Sequence, residues 1–236
     1  MQKVQGYMRS AMDHYDMVQD GDVIAVGVSG GKDSVALLYC LAQMRRYYPK
    51  QFEVIGITLD PGFEGREADY SPIAAMCEEL GVKYVVDRTN IGHVVFETRE
   101  EKNPCSLCAN LRRGRLHTLA KELGCNKIAL GHHKDDAVNT FFMNLLDLGT
   151  IDCFKPVTYL SRKDLTMIRP LVFTPEQEII NAVHRQGLPV VKSECPIDHE
   201  TERAGVDALV KDLEEQYPGL QQKIIGAMQK GELAGW

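Results

Sequence analysis

The chain has 236 residues, 44% of them hydrophobic and 25% charged, the make-up of an ordinary globular domain, which excludes collagen-like, coiled-coil and disordered classes. Its formal net charge of −6 offers polyanions no global attraction, so a nucleic acid has to be held by a local basic patch. The longest apolar runs, such as residues 23–28, fall far short of the roughly 18 that span a bilayer, and none follows a basic leader, so a cytoplasmic chain without a membrane partner is expected.

Residues 1–20 are expected to form a helical extension. Residues 23–28 read as a buried strand, followed by a glycine turn and a helix over about 33–46. A strand at 52–59 and a helix at 70–80 follow, with Gly81 behind the helix. A third strand at 83–86, a helix at 107–123 closed by Gly124, a fourth strand at 127–130 and a helix at 135–148 closed by Gly149 continue the alternation. Strands separated by helical patterns of this length imply right-handed crossovers and a parallel sheet between helices. Segments 157–160 and 165–171 read as a hairpin or late edge strand, and 175–186 as a helix with Thr174 as N-cap and Pro175 at its first position. Two polar amphipathic helices flank Tyr217-Pro218-Gly219. The expected fold class is α/β, a doubly wound parallel sheet over 21–190, with helical additions at 1–20 and 191–236.

Ser29-Gly30-Gly31-Lys32-Asp33-Ser34 lies where the first strand turns into the first crossover helix. Glycines let backbone N–H groups converge on an anion, the helix N-terminus adds a favourable dipole, and Lys32 and the two serine hydroxyls supply donors. The loop is suited to phosphate. A Walker A loop needs glycine at Val26 and Ser or Thr at Asp33, and a dinucleotide fingerprint needs glycine at Ser29, so neither fits. Asp60, at the end of the second strand, is expected near the nucleotide because ligands bind outside strand carboxyl ends.

Seven cysteines in a chain of this class are read as core residues, metal ligands or reactive thiols rather than a disulfide framework. Cys105 and Cys108 stand three apart at a helix start ahead of Leu111-Arg112-Arg113-Gly114-Arg115. By spacing alone they suit a redox dithiol, half a zinc site or an iron-sulfur ligand pair. Cys40, Cys77, Cys125 and Cys153 fall in apolar contexts and read as core. In the string Ala129-Leu130-Gly131-His132-His133-Lys134-Asp135-Asp136, two adjacent carboxylates beside two imidazoles could hold Mg²⁺ or orient an acceptor base.

The glycine loop resembles the PP-loop of the N-type ATP pyrophosphatases. Together with the cysteine pair and its arginines, the string at 129–136, Arg169-Pro170-Leu171, Cys195 and Tyr217-Pro218-Gly219, it resembles in order and spacing the tRNA 2-thiocytidine synthetase (TtcA) family, over roughly residues 20–228. The resemblance implies an adenine nucleotide alpha hydrolase-like fold. It also implies an ATP- and Mg²⁺-dependent sulfurtransferase carrying a [4Fe-4S] cluster on Cys105, Cys108 and Cys195. Other members commonly have a further cysteine three residues after the last of these, where this chain has Asp198. Three thiolates leave one iron open to an exogenous sulfur.

On this resemblance ATP binds at Ser29–Ser34, Asp60, Gly131 and His132. The O2 of a cytidine, expected at position 32 of the anticodon loop, attacks the α phosphorus, and sulfur then displaces AMP from C2. Lys32, Asp135 and Asp136 are the expected catalytic residues, and Arg112, Arg113 and Arg115 a tRNA backbone patch. A cysteine desulfurase as sulfur donor and a homodimer are carried over in the same way. A cluster-free amidating or ligating PP-loop enzyme, a non-catalytic iron-sulfur sensor and a zinc-bearing thiolase of another nucleotide are the competing readings.

Overall fold

The computed structural model describes residues 1–63, 67–98, 104–192, 195 and 203–236. Position 198, where a fourth cysteine is lacking, lies outside the described residues. Six strands, β1 (Asp22–Gly27), β2 (Phe52–Asp60), β3 (Lys83–Arg88), β4 (Lys127–Ala129), β5 (Val157–Leu160) and β6 (Leu165–Ile168), form one sheet in the order β3-β2-β1-β4-β6-β5. All neighbours are parallel except the β5–β6 hairpin at the edge.

Side chains alternate across a strand, and β1 shows the consequence. Ile24 and Val26 face a core shared with α1 (Gln2–His14), α2 (Lys32–Met44), α3 (Ser71–Leu80), α6 (Lys134–Asp147) and α7 (Glu176–Gln186). Ala25 faces the opposite core, where Leu116, Leu119 and Ala120 of α5 (Pro104–Glu122) cover Ile55, Ile57 and Ile128. Helices therefore cover both faces, as the alternating pattern implies. The terminal helices α8 (Arg203–Gln216) and α9 (Leu220–Lys230) pack on α6 through Val206, Val210, Ile225 and Met228.

The order reverses between β1 and β4, which leave the sheet centre in opposite directions, so the crevice at their carboxyl ends is where an α/β sheet receives a ligand. Both the glycine loop and the 130–133 segment issue from it.

Two local features differ from the sequence expectation. A short helix α4 (Ile91–His93) runs into a π-helical turn (Val94–Thr98) that periodicity does not signal. And α7 takes Pro175, not Thr174, as its N-cap. The Thr174 hydroxyl is buried with no hydrogen-bond partner, because the α7 donor at Glu176 N is already taken by Asp135 Oδ2 at 2.7 Å. The cap comes from a distant helix, which no local sequence signal could announce.

Beneath the sheet, Lys127 of β4 and Asp22 of β1 form a buried ion pair at 2.8 Å. Lys127 also donates to Met17 O, and Asp22 accepts from Gln19 N and Asn126 Nδ2. Removing one partner strands a buried charge. Lys127→Ala is expected to lower the unfolding free energy by about 3 kcal/mol in urea denaturation; a loss under about 1 kcal/mol contradicts this placement of the charge.

Candidate active site

Helix α2 begins at Lys32 with Gly31 as N-cap and no side-chain cap, so its first N–H groups remain available to an anion. The Ser34 hydroxyl shapes the loop: it accepts from Ser29 N at 3.1 Å and donates to Gly31 O at 2.9 Å. Gly30 has φ +92, and a Cβ there would meet Val191 at 3.1 Å. The Val191 N–H donates to Gly30 O at 3.0 Å, so Val191 is tied across the loop.

The loop opens on a cavity of about 470 Å³, which Ile57 and Leu59 of β2 line together with Gly131, His132 and Asp136. Its far wall is a stripe of α5, Ala109, Arg112, Arg113, Leu116 and His117, spaced so that one helix face carries all five. His117 is buried, and burial, helped by Arg113 and Lys163, lowers its pKa and favours the neutral ring. A larger groove lies away from this site, between α1, α2 and α7, among Lys3, Tyr39 and Glu178; it has neither a phosphate loop nor a cysteine.

Carboxylates gather at the loop's edge. Lys32 Nζ sits 3.0 Å from Asp33 and 2.8 Å from Glu176; burial works against its charge, but the two carboxylates prevail and raise its pKa. Burial raises the pKa of Asp33 although His133 and Lys32 oppose it, and its Oδ1 is buried with no hydrogen-bond partner. His133 caps α6 reciprocally: its ring accepts from Asp136 N, and Asp136 Oδ2 accepts from His133 N at 3.0 Å. Burial opposes protonation of His133, but Asp135, Asp136 and Asp33 outweigh it and raise its pKa. Burial likewise opposes ionisation of Asp135, and His133 with the Glu176 N–H overcomes it, lowering that pKa.

Cys108 is buried among Phe63, Ile91 and Val95, and Cys195 packs against this same cluster. Burial is the main cause of the raised Cys108 pKa; Arg112 opposes it by charge and hydrogen bond, whereas Cys195 and Cys105 push it further up. Cys105 and Cys195 therefore lie within electrostatic reach of Cys108, and Cys108 meets Arg112 of the cavity wall, although none of the three cysteines lines the cavity itself. Among the described residues no three His, Cys, Asp or Glu side chains converge on a single-ion site; a cubane offers separate iron corners and takes more widely spaced thiolates. An apolar shell, three neighbouring thiols and one adjacent guanidinium suit an anionic cluster.

Of the residues singled out from sequence, Ser29, Gly31, Asp33, Ser34, Arg112, Arg113, Gly131, His132 and Asp136 line the one cavity. Gly30, Lys32 and Asp135 sit immediately behind it through the contacts above. Asp60, Arg115 and the three cysteines Cys105, Cys108 and Cys195 do not line it. Asp60 is buried, accepts from Arg88 at 2.8 Å and caps Gly62 N, and Arg115 is held by Asp87 through two hydrogen bonds of 2.7 and 2.9 Å. Sequence reasoning passed over His117, although it lies four residues after Arg113 on the same face, and over Glu176, which no spacing connects to the loop; Arg169 stood among the motifs of the resemblance but without a role at the site.

A model of the PP-loop domain matches residues 3–211. The tRNA-cytidine(32) 2-sulfurtransferase of Geobacter sulfurreducens is 37% identical over 229 residues, covering 96% of this chain and 88% of its own length. The chain belongs to the tRNA-cytidine 2-sulfurtransferase family of PP-loop proteins. The namesake from Dechloromonas aromatica is 36% identical over 97% of this chain and 81% of its own. Among solved structures, the U34-tRNA thiolase NcsA from Methanococcus maripaludis, determined with its [4Fe-4S] cluster, superposes with a TM-score of 0.80 at 27% identity, covering 97% of this chain and 77% of that one. Membership of the PP-loop family implies the use of ATP, and no described helix is long and apolar enough to cross a membrane.

A histidine whose pKa is raised on folding adds stability below its unfolded value near 6.5, and that contribution is lost as pH climbs through the folded value. His133→Asn keeps a capping residue and is expected to flatten the fall in stability above pH 6.5 in denaturant titrations. An unchanged pH slope contradicts the carboxylate cage.

Proposed function

We propose that the chain is an ATP- and iron-sulfur-dependent tRNA thiolase that converts cytidine 32 of the anticodon loop to 2-thiocytidine. The observation that carries this reading is a single helix, α5, presenting Cys105 and Cys108 at its start and lining the phosphate-loop cavity with its next turns. A sensor has no use for the phosphate loop, and a cluster-free ligase has none for the interacting thiols.

Cys105, Cys108 and Cys195 are the residues that would hold the cluster, which when bound supplies an iron corner able to take up sulfur. The loop N–H groups and Lys32 bind the phosphates, and Lys32 moves from Glu176 and Asp33 toward the departing pyrophosphate. Asp33 Oδ1, which has no hydrogen-bond partner and faces His133 Nε2 at 3.9 Å, and the neighbouring Asp136 are the carboxylates that would hold Mg²⁺. The cavity orients the base so that its O2 attacks the α phosphorus. Pyrophosphate leaves, sulfur adds at C2, and AMP carries away the former O2, which is a poor leaving group until adenylated. The apolar walls at Ile57, Leu59 and Leu116 keep water from the activated carbon. Arg112 and Arg113 at the rim suit tRNA phosphates, a cysteine desulfurase is the chemical class of sulfur source, and a homodimer is carried over from the resemblance. The choice of cytidine 32 follows the curated relatives, whereas the NcsA likeness is to a thiolase of U34; mapping the thiolated nucleotide decides between them.

After anaerobic reconstitution, Cys105→Ser, Cys108→Ser and Cys195→Ser are each expected to lose visible cluster absorption and tRNA thiolation while still binding ATP. Normal thiolation by a cluster-free variant overturns the reading. Arg112→Gln and Arg113→Gln are each expected to reduce the salt slope of tRNA binding by about one; a slope that stays the same removes these arginines from the RNA interface.

A further inference from the structure

Arg169 is a buried cation for which no carboxylate partner exists among the described residues. Its guanidinium donates to Lys155 O, to the Met167 thioether at 3.4 Å and, through Nε, to Nδ1 of His132 at 3.3 Å. The Phe154 ring supports both groups: the guanidinium carbon lies 4.9 Å from its centroid, and the His132 ring centroid lies 5.1 Å away. Phe154 is in turn fixed by Trp236, whose Nε1 donates to Phe154 O at 2.8 Å and whose ring packs 6.1 Å from it. Burial with no countercharge pulls the Arg169 pKa down to about 10, which still leaves the group cationic at neutral pH. So costly a group, positioned this carefully, calls for a function.

The hydrogen bond decides the chemistry of His132. Arginine has donors and no acceptor, so an Nδ1 that receives its N–H carries no proton of its own, and the ring proton resides on Nε2. A second proton on Nδ1 would break the bond and place two cations side by side. His132 lines the cavity, and the preceding Gly131 is pressed against the first turn of α2, where a Cβ would meet Ser34 N at 3.1 Å. The imidazole is thus attached beside the α2 N-terminus, where a phosphate belongs.

We propose that Arg169 is a positioning residue that holds His132 as the neutral Nε2–H tautomer, so that His132 donates a hydrogen bond to a phosphoryl oxygen of the bound nucleotide. This inference rests on the reading of the cavity as a nucleotide site. A guanidinium behind the ring polarises the N–H, which strengthens its bond to oxygen as charge grows on the α phosphorus during attack. The proton stays on nitrogen throughout, so His132 acts as an electrostatic donor and not as a general acid. The arrangement is that of a metal-bound histidine whose other ring nitrogen is held by a carboxylate, with the polarity reversed.

The test is nitrogen-15 NMR of the full-length protein labelled at histidine, with the His132 signals identified by their absence from His132→Gln. The wild-type ring is expected to be the Nε2–H tautomer at neutral pH, and Arg169→Lys, which keeps the charge but lacks the Nε donor, to show mixed tautomers. A wild-type ring protonated on Nδ1, or a ring unaltered in Arg169→Lys, overturns the proposal without needing any variant to be active. Addition of a non-hydrolysable ATP analogue is expected to shift the Nε2 proton downfield. An unmoved proton in protein that calorimetry shows to be saturated overturns the donor role, whereas no binding at all overturns the nucleotide reading beneath it. In tRNA-dependent pyrophosphate release, Arg169→Lys is expected to lower kcat about tenfold to 100-fold while the analogue Kd moves less than about threefold; an equal loss in both indicates a merely structural role and contradicts the inference.

Discussion

Gly131 lies so close to the start of α2 that a Cβ there would press on the backbone of Asp33 and Ser34, at 3.2 and 3.1 Å. That approach joins the two segments leaving β1 and β4 into one surface at the point where strand order reverses. Everything at the site is referenced to it. The loop N–H groups, the imidazole at 132, the capping imidazole at 133 and the carboxylates at 135 and 136 all take their positions from the same few ångströms of backbone contact. The glycine is there because backbone must meet backbone.

Around that contact the polar groups are linked rather than independent. Asp135 caps α7, which places Glu176 on Lys32; His133 caps α6 and sits among three carboxylates; Val191 pins Gly30 four residues ahead of Cys195. A change in the occupancy of the phosphate loop therefore acts on α6, α7 and Val191 together. Helix α5 makes the second link, since the arginine that interacts with the buried Cys108 thiol also lines the cavity onto which the glycine loop opens.

Much of this was legible in the chain because it is written locally. Short continuous apolar strands buried on both faces, Gly81, Gly124 and Gly149 in the left-handed region behind their helices, and a glycine loop at a strand end are signals spanning a few residues. The ring of residues around the cavity was legible only in part. Ser29–Ser34 and the 131–136 string identify themselves by composition, whereas the roles of Glu176, His117 and Arg169 depend on partners 37 or more residues away, or on one face of a helix read too coarsely. Asp60 illustrates the converse: a carboxylate at a strand end looks like a ligand group, but Arg88 and the Gly62 turn already occupy it. Arg115 is likewise held by Asp87, which is paired to the helix by tertiary packing that sequence spacing cannot see.

The central claim is that nucleotide and sulfur centre share one cavity, with α5 as their common wall. An anaerobic crystal structure of the reconstituted chain with a non-hydrolysable ATP analogue tests it directly. The account predicts the phosphates on the loop at 29–34 and the cluster on the sulfurs of residues 105, 108 and 195, both open to the space between Leu59 and Arg112. A cluster held by other cysteines, or one facing a different side of the sheet from the α phosphorus, contradicts it.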